Sequence, residues 1–208
     1  RILKAMGSRD EKLSKIATVC YLIDMLGMRV GDEKDEDEAD TVGATTLRVE
    51  HLKIGQKGIQ FDFLGKDSVQ WVKRIENPEE VVAKNIKRFV TGKKASEEIF
   101  DVVNSSMVNR FLSSIVEGLT AKVFRTYHAT RIAEDQLRSK DVKSADDLEK
   151  VYHAKRANLE AAVFCNHKRT PPKNWGESLK KKEQKLAEYQ EKGKEERVRK
   201  MRMNIELA

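Results

Sequence analysis

The sequence predicts a mainly α (α+β) domain that carries a small three-stranded antiparallel sheet and is followed by a charged linker helix. Three observations predict it. Apolar residues recur at helical spacing along most of the chain, as at Leu13, Ile16, Ala17, Cys20 and Tyr21. Between Val49 and Ile75 that periodicity gives way to alternation. Beyond Trp175 the composition turns abruptly charged: Glu177 to Ala208 holds ten basic and seven acidic residues and no proline.

Each element has a local reason. The first helix is expected from about Arg9 to Leu26, where Gly27 supplies a stop. Asp40 or Thr41 can cap a short second helix running to Leu47. In IQFDF, Ile59, Phe61 and Phe63 alternate with Gln60 and Asp62. VQWVKRI also favours strand, and LGKDS between them is a turn rich in Gly, Asp and Ser. VEHLKI is the expected third strand. Pro78, followed by Glu79 and Glu80, opens a helix to about Thr91. Asn104 caps another from Ser105 to Glu117, and LTAKVFRTYHATR leads into a helix that continues to Arg138. Ser144 to Asn166 reads as a long helix with Asp146 and Asp147 near its start, and Pro171-Pro172 ends that region. The segment after Trp175 carries a thin apolar stripe, Leu179, Leu186, Tyr189, Val198, Met201 and Ile205, interrupted at Gly193. It reads as the start of a coiled-coil linker. The expected organisation is a core domain over residues 1–174 and a linker from 175 to 208.

The charge pattern narrows the partners. The chain of 208 residues has 41 Lys and Arg against 34 Asp and Glu, a net charge of +7. Asp32 to Asp40 (DEKDEDEAD) holds seven carboxylates and one lysine, so the remainder carries +7 − (−6) = +13. A basic body with one acidic loop is the footprint of a polyanion binder. The acidic stretch is not a calcium loop: no register puts Gly at position six and Glu at position twelve. Charged residues make up 36%, well above the usual ~25%, in keeping with a long solvated element. No apolar run is long enough to cross a membrane, and no signal or transit peptide is present at the front. The chain opens on Arg1 rather than Met and reads as a piece of a longer one. Cys20 and Cys165 are too few and too far apart for a disulfide scaffold or a cysteine zinc site, so they read as reduced thiols of an intracellular protein.

Several chemistries are excluded on motif grounds. There is no GxxxxGK[ST], no GxGxxG after a strand, no HExxH and no GxSxG. His51, His128, His153 and His167 show no ligand spacing. What remains is a set of contiguous strings in fixed order: MRVGDEK, ADTVG…LRVEHL, FDFLGKDS, EGLTAKVFRTY and CNHKR with PPK after it. Together these strings, spread over about Arg9 to Lys173, resemble the catalytic domain of type IB DNA topoisomerases, the eukaryotic topoisomerase I group and its archaeal relatives.

The resemblance implies a helical DNA breaking–rejoining fold. Its chemistry is attack by a tyrosine on a phosphodiester, giving a 3′-phosphotyrosine and a free 5′-hydroxyl, then duplex rotation and religation. By position in the motifs, Arg29, Lys66, Arg125 and His167 match the family's catalytic residues, and Lys34, Thr41, Asp67 and Lys122 match positions that touch DNA. Lys168 stands where animal members carry glutamine and is taken as a further DNA contact. The residue types suit the task. A pentacoordinate phosphorane gathers negative charge on two non-bridging oxygens, and guanidinium forks match that geometry bidentately. Each preorganised donor is worth about 3–4 kcal/mol. A lysine on a hairpin tip can reach the minor groove and protonate the leaving 5′-oxygen.

The resemblance further implies no metal or other cofactor, no ATP, double-stranded DNA as partner and a monomer on chromosomal DNA. The compartment would be the nucleus in a eukaryote, or the cytoplasm or nucleoid in an archaeon. It also implies two missing pieces, an upstream clamp domain and a downstream segment with a tyrosine in an SKxNY-like context. None of Tyr21, Tyr127, Tyr152 and Tyr189 has that context. The fragment alone is therefore expected to be inactive. Two rivals share the features: a tyrosine recombinase or integrase, with the same Arg–Lys–Arg–His chemistry, and a DNA-binding module without chemistry.

Overall fold

Helix α2 (Glu11–Leu26) is the axis around which the first part of the chain is built. It starts where the Asp10 carboxylate accepts the Leu13 N–H at 3.2 Å, and ends where Gly27, at φ 65°, donates to the Ile23 carbonyl. The ten residues from Ser14 to Ile23 are all buried. A helix buried on every side must satisfy its polar members internally. Thr18 donates to the Ser14 carbonyl, and Ser14 to the Met6 carbonyl, each at 2.8 Å. The Asn85 amide donates to the Met6 carbonyl and to Thr18. The Lys15 ammonium, 4% exposed as a residue, pairs with Glu11 at 2.8 Å and Asp101 at 2.7 Å.

The computed structural model describes residues 1–31, 42–138, 140–168 and 171–208. They form two compact units, residues 1–128 and 129–208. In the first, α2 is preceded by the short α1 (Ile2–Met6) and covered by α3 (Glu80–Val90), α4 (Ser105–Ile115) and a three-stranded sheet. The strands β1 (Leu52–Gly55), β2 (Gly58–Leu64) and β3 (Gln70–Glu76) pair antiparallel in the order β1-β2-β3. The register sets Phe63 opposite Trp71 and Ile59 opposite Ile75. Those four and Phe61 are buried, and Phe63 stacks on Trp71 at 4.9 Å. On the same face, the Lys73 ammonium donates to the Leu26 carbonyl at the end of α2, at 2.7 Å. Helix α3 buries Val82, Asn85, Ile86 and Phe89, an i, i+3, i+4, i+7 stripe. Helix α4 begins at the expected cap, Asn104, whose side chain accepts the Met107 N–H.

Helix α5 (Ala121–Leu137) starts in the first unit and ends in the second, which continues with α6 (Lys140–Ser144), α7 (Asp147–Phe164), α8 (Trp175–Glu191) and α9 (Glu195–Glu206). Asp146 and Glu149 form a reciprocal capping box at the start of α7. The charged segment is a helical hairpin rather than one continuous helix, because Gly193, at φ 60°, allows the chain to turn. Arg199 of α9 binds Asp146 at 2.6 Å and also pairs with Glu149. Arg156 of α7 meets Glu206 at 3.4 Å. Among the described residues of this unit, the buried hydrophobics are only Ala145 and Ala157.

Mainly α architecture with a three-stranded antiparallel sheet is thus observed. Two local expectations are corrected. Residues 42–47 form a turn, not a helix. Their N–H groups are drawn elsewhere: Ala44 and Thr45 donate to the carbonyls of Arg29 and Val30 at 2.9 and 2.8 Å. The cap candidates Asp40 and Thr41 lie outside the described residues. The expected strand from Val49 starts instead at Leu52, because Val49–His51 closes a 3₁₀ turn in which His51 Nδ1 accepts the Arg48 N–H at 3.0 Å. Among the described residues, no helix is long and apolar enough to cross a membrane.

Burial pushes the Cys20 thiol up to about 12, so it stays protonated at neutral pH. Iodoacetamide at pH 7.5 is expected to leave Cys20 unmodified in the native chain and to label it once urea unfolds the protein, as read by peptide mass spectrometry.

Candidate active site

Arg29 leaves the buried helix α2 three residues after its last turn. Its neighbours Met28 and Val30 are 1% and 8% exposed, while Arg29 itself is exposed. Two buried anchors on either side thus fix the backbone that carries the guanidinium outward. A glycine crossing holds the next step. A Cβ on Gly43 would sit 2.4 Å from the Gly31 Cα, and one on Gly31, at φ 104°, would meet Thr45 Oγ1 at 2.4 Å. Only glycine permits that approach. The crossing is closed by Ala44 N–H to the Arg29 carbonyl and by Thr45, whose N–H and hydroxyl both donate to the Val30 carbonyl at 2.8 Å.

The same loop reaches the hairpin. Val42 donates its N–H to the Leu64 carbonyl at 3.0 Å, and Lys66 follows two residues later. Lys66 opens a 3₁₀ turn, Lys66–Ser68, at the tip between β2 and β3 and is exposed. The Gly65 N–H to Val69 carbonyl bond, at 3.0 Å, closes the neck of that tip. Arg29 and Lys66 are therefore joined through one loop by backbone hydrogen bonds.

Arg125 lies in the second turn of α5 and is half-buried. The helix is seated by Ala121, 4% exposed, whose N–H donates to the Asn109 side chain at 2.9 Å, and by Phe124, which packs on the core. One turn beyond Arg125, His128 Nε2 lies 2.6 Å from Asp24 Oδ1 of α2. Ala121, Phe124, Arg125 and His128 share one helix face. Lys122, beside them, is exposed. The Asp24–His128 pair has no signature in the sequence, because the partners are 104 residues apart.

His167 and Lys168 belong to the second unit, and both are exposed. Helix α7 ends in a Schellman motif: Asn166, at φ 54°, occupies the left-handed position, and the His167 N–H returns to the Ala162 carbonyl at 2.8 Å. Asn is one of the few residues that tolerate that conformation, which makes CNH a readable helix stop. Lys34 and Thr41 lie outside the described residues. Asp67 is described only as part of the 3₁₀ turn. Among the described residues, no group of three His, Cys, Asp or Glu is placed to hold a metal ion.

The first unit thus carries cations at a helix exit (Arg29), a hairpin tip (Lys66) and the second turn of α5 (Arg125). Residues 1–200 match the family described as "Eukaryotic DNA topoisomerase I, catalytic core", and the chain belongs to that family. It is 44% identical over 193 residues to DNA topoisomerase 1 alpha of Arabidopsis thaliana, covering 92% of this chain and 21% of that protein. It is 39% identical over 202 residues to DNA topoisomerase 1 of Caenorhabditis elegans, covering 90% of this chain and 25% of that one. Against DNA topoisomerase 1 of Homo sapiens it is 40% identical over 179 residues, covering 83% and 23%. The chain thus spans between a fifth and a quarter of the length of these relatives.

The glycine crossing makes a testable demand. Gly43→Ala should destabilise the first unit by about 1–3 kcal/mol, the usual cost of forcing atoms into a packed site. Gly55→Ala, whose Cβ would meet nothing nearer than 3.7 Å, should do far less. Thermal unfolding followed by Trp71 fluorescence, in a Trp175→Phe background, measures both.

Proposed function

We propose that this chain is the part of a type IB DNA topoisomerase that grips duplex DNA and stabilises the transition state of strand cleavage and religation. Arg29, Lys66, Arg125 and His167 are the catalytic groups in this reading. The observation that carries it is the loop at residues 42–45, which ties the backbone of Arg29 to the strand end that bears Lys66. A guanidinium at a rigid helix exit and an ammonium on a hairpin tip are suited to two different oxygens of one phosphodiester.

In the forward step a tyrosine oxygen attacks phosphorus as its phenol proton passes to solvent, a 3′-phosphotyrosine bond forms and the bond to the 5′-oxygen breaks. Arg29 and Arg125 hold the non-bridging oxygens as charge builds on them, and His167 donates a further hydrogen bond. Lys66 gives a proton to the departing 5′-oxygen. In religation the 5′-hydroxyl returns that proton and attacks phosphorus, and tyrosine leaves. The swivel between the two steps removes supercoils without ATP, and no step requires a metal.

The nucleophile is assigned to a segment downstream of the linker. Tyr21 is buried, and burial together with nearby Glu79 and Asp24 raises its hydroxyl pKa, which disfavours the phenolate. Burial and the neighbouring Glu206 do the same to Tyr152. Lys34, Thr41, Asp67, Lys122 and Lys168 contact the DNA in this reading. Residues 1–174 form the core domain, and 175–208 begin the linker. An upstream clamp domain closes around the duplex, the enzyme acts as a monomer, and its compartment is the nucleus.

Two measurements test the proposal. In the full-length parent, Lys66→Ala should slow cleavage of an ordinary strand far more than it weakens DNA binding. A substrate with sulfur at the 5′ leaving position should restore the rate, because a thiolate departs without a proton. Equal defects on the oxygen and sulfur substrates would remove Lys66 as the acid.

Residues 1–208 alone should bind duplex DNA with little regard to sequence, and affinity should fall steeply between 50 and 200 mM salt, by about tenfold or more, as phosphate contacts dictate. The same residues should leave supercoiled plasmid unrelaxed. Affinity indifferent to salt, or relaxation by residues 1–208 alone, would count against this division of labour.

A further inference from the structure

Asp24 and His128 form a side-chain bridge at the point where the two arginine-bearing elements meet. Asp24 lies in the last turn of α2, five residues before Arg29, and His128 lies in α5, three residues after Arg125. The Nε2–Oδ1 distance is 2.6 Å, and the side chains are only 31% and 39% exposed. Tyr127 packs edge-on against the imidazole with ring centroids 5.5 Å apart. We propose that this bridge is a positioning device for strand cleavage: it fixes the rotation and depth of α5 against the exit of α2, so that Arg125 and Arg29 converge on one phosphate.

The geometry gives the bridge this role rather than a purely stabilising one. Helix α5 is seated at its start by Ala121, whose N–H donates to Asn109, and by Phe124, both of which act on its first turn. The Asp24–His128 contact adds a restraint one turn beyond Arg125, on the same face. Asp24 follows directly on the ten buried residues of α2, Ser14 to Ile23. A partly exposed pair of this kind contributes little to global stability. Its effect falls instead on the alignment of two guanidiniums, where a displacement near 1 Å can cost about 100-fold in rate. The inference rests on Arg29 and Arg125 as phosphate ligands, and the test separates the two claims.

The experiment is single-turnover cleavage by the full-length parent on an oligonucleotide duplex that traps the covalent adduct, with DNA affinity and thermal stability measured on each variant. His128→Ala is expected to cut the cleavage rate at saturating DNA by about 10- to 100-fold, with affinity and melting temperature close to wild type. His128→Gln, which keeps a donor near the Nε2 position, should recover most of the rate. Asp24→Ala should match His128→Ala, and the double variant should be no slower than either, as for two halves of one contact. Should the alanine variant fail to fold, His128→Leu keeps the bulk of the ring on the helix face and is read in the same way. Near-normal cleavage by these variants, while Arg29→Lys and Arg125→Lys are slow, would overturn the bridge and leave the functional reading intact. Near-normal cleavage by the two arginine variants would overturn the functional reading itself. A rate loss that follows the melting temperature across the series would show the pair to be structural only.

Discussion

Everything in the first unit depends on the burial of the middle of α2, Ser14 to Ile23. A helix closed on all sides over those ten residues resists rotation and sliding, since movement would expose Val19, Cys20 or Leu22 or break the Ser14–Met6–Asn85 hydrogen bonds. Its end is therefore a fixed point in space. The sheet is anchored to that point by Lys73 on the Leu26 carbonyl, the 42–45 loop by the carbonyls of Arg29 and Val30, and α5 by His128 on Asp24. Three elements far apart in sequence are thus referenced to one helix terminus. That is the arrangement needed when several side chains must address one small group.

The second unit is organised on different terms. Its helices bury little apolar surface and meet through Arg199, Arg156 and their carboxylate partners, all at least one-third exposed. Exposed pairs of this kind contribute about 0–1 kcal/mol each and are screened by salt. The unit that carries His167 is therefore less firmly held than the one that carries Arg29, Lys66 and Arg125.

What could be read from the sequence follows from how local each cause is. The helices α2, α3, α4 and α7, the hairpin of β2 and β3, and the cap at Asn104 all declare themselves within a few residues, and all are found, α7 starting at Asp147 rather than at Ser144. The helix expected up to Leu47 fails because the donors of Ala44 and Thr45 are each claimed by a residue 15 positions earlier, which no window of local propensity contains. Helix α1 was invisible for a simpler reason: five residues are too few to show a period. At the site, Arg29, Lys66, Arg125 and His167 stand in contiguous strings, and so do Gly31 and Gly43, but the strings do not reveal that the two glycines cross or that His128 meets Asp24. Gly31 and Gly43 look like ordinary loop glycines, and His128 drew notice only for lacking metal-ligand spacing. Supports act across the fold, so they surface only when distances are known.

The Schellman stop at the end of α7 has a consequence for how this region can vary. Asn166 sits at φ 54°, where side chains other than Asn, Asp or Gly carry a steric penalty of about 1–2 kcal/mol. Lengthening or shortening α7 by a single residue would rotate whatever follows the stop by about 100° and shift it along the axis by about 1.5 Å. The position of His167 along the chain thus depends on the count of residues between the Asp146 cap and Asn166. Substitutions along the exposed face of α7 can accumulate freely, while a one-residue insertion or deletion cannot. Drift in composition at constant length is the pattern of change this helix permits.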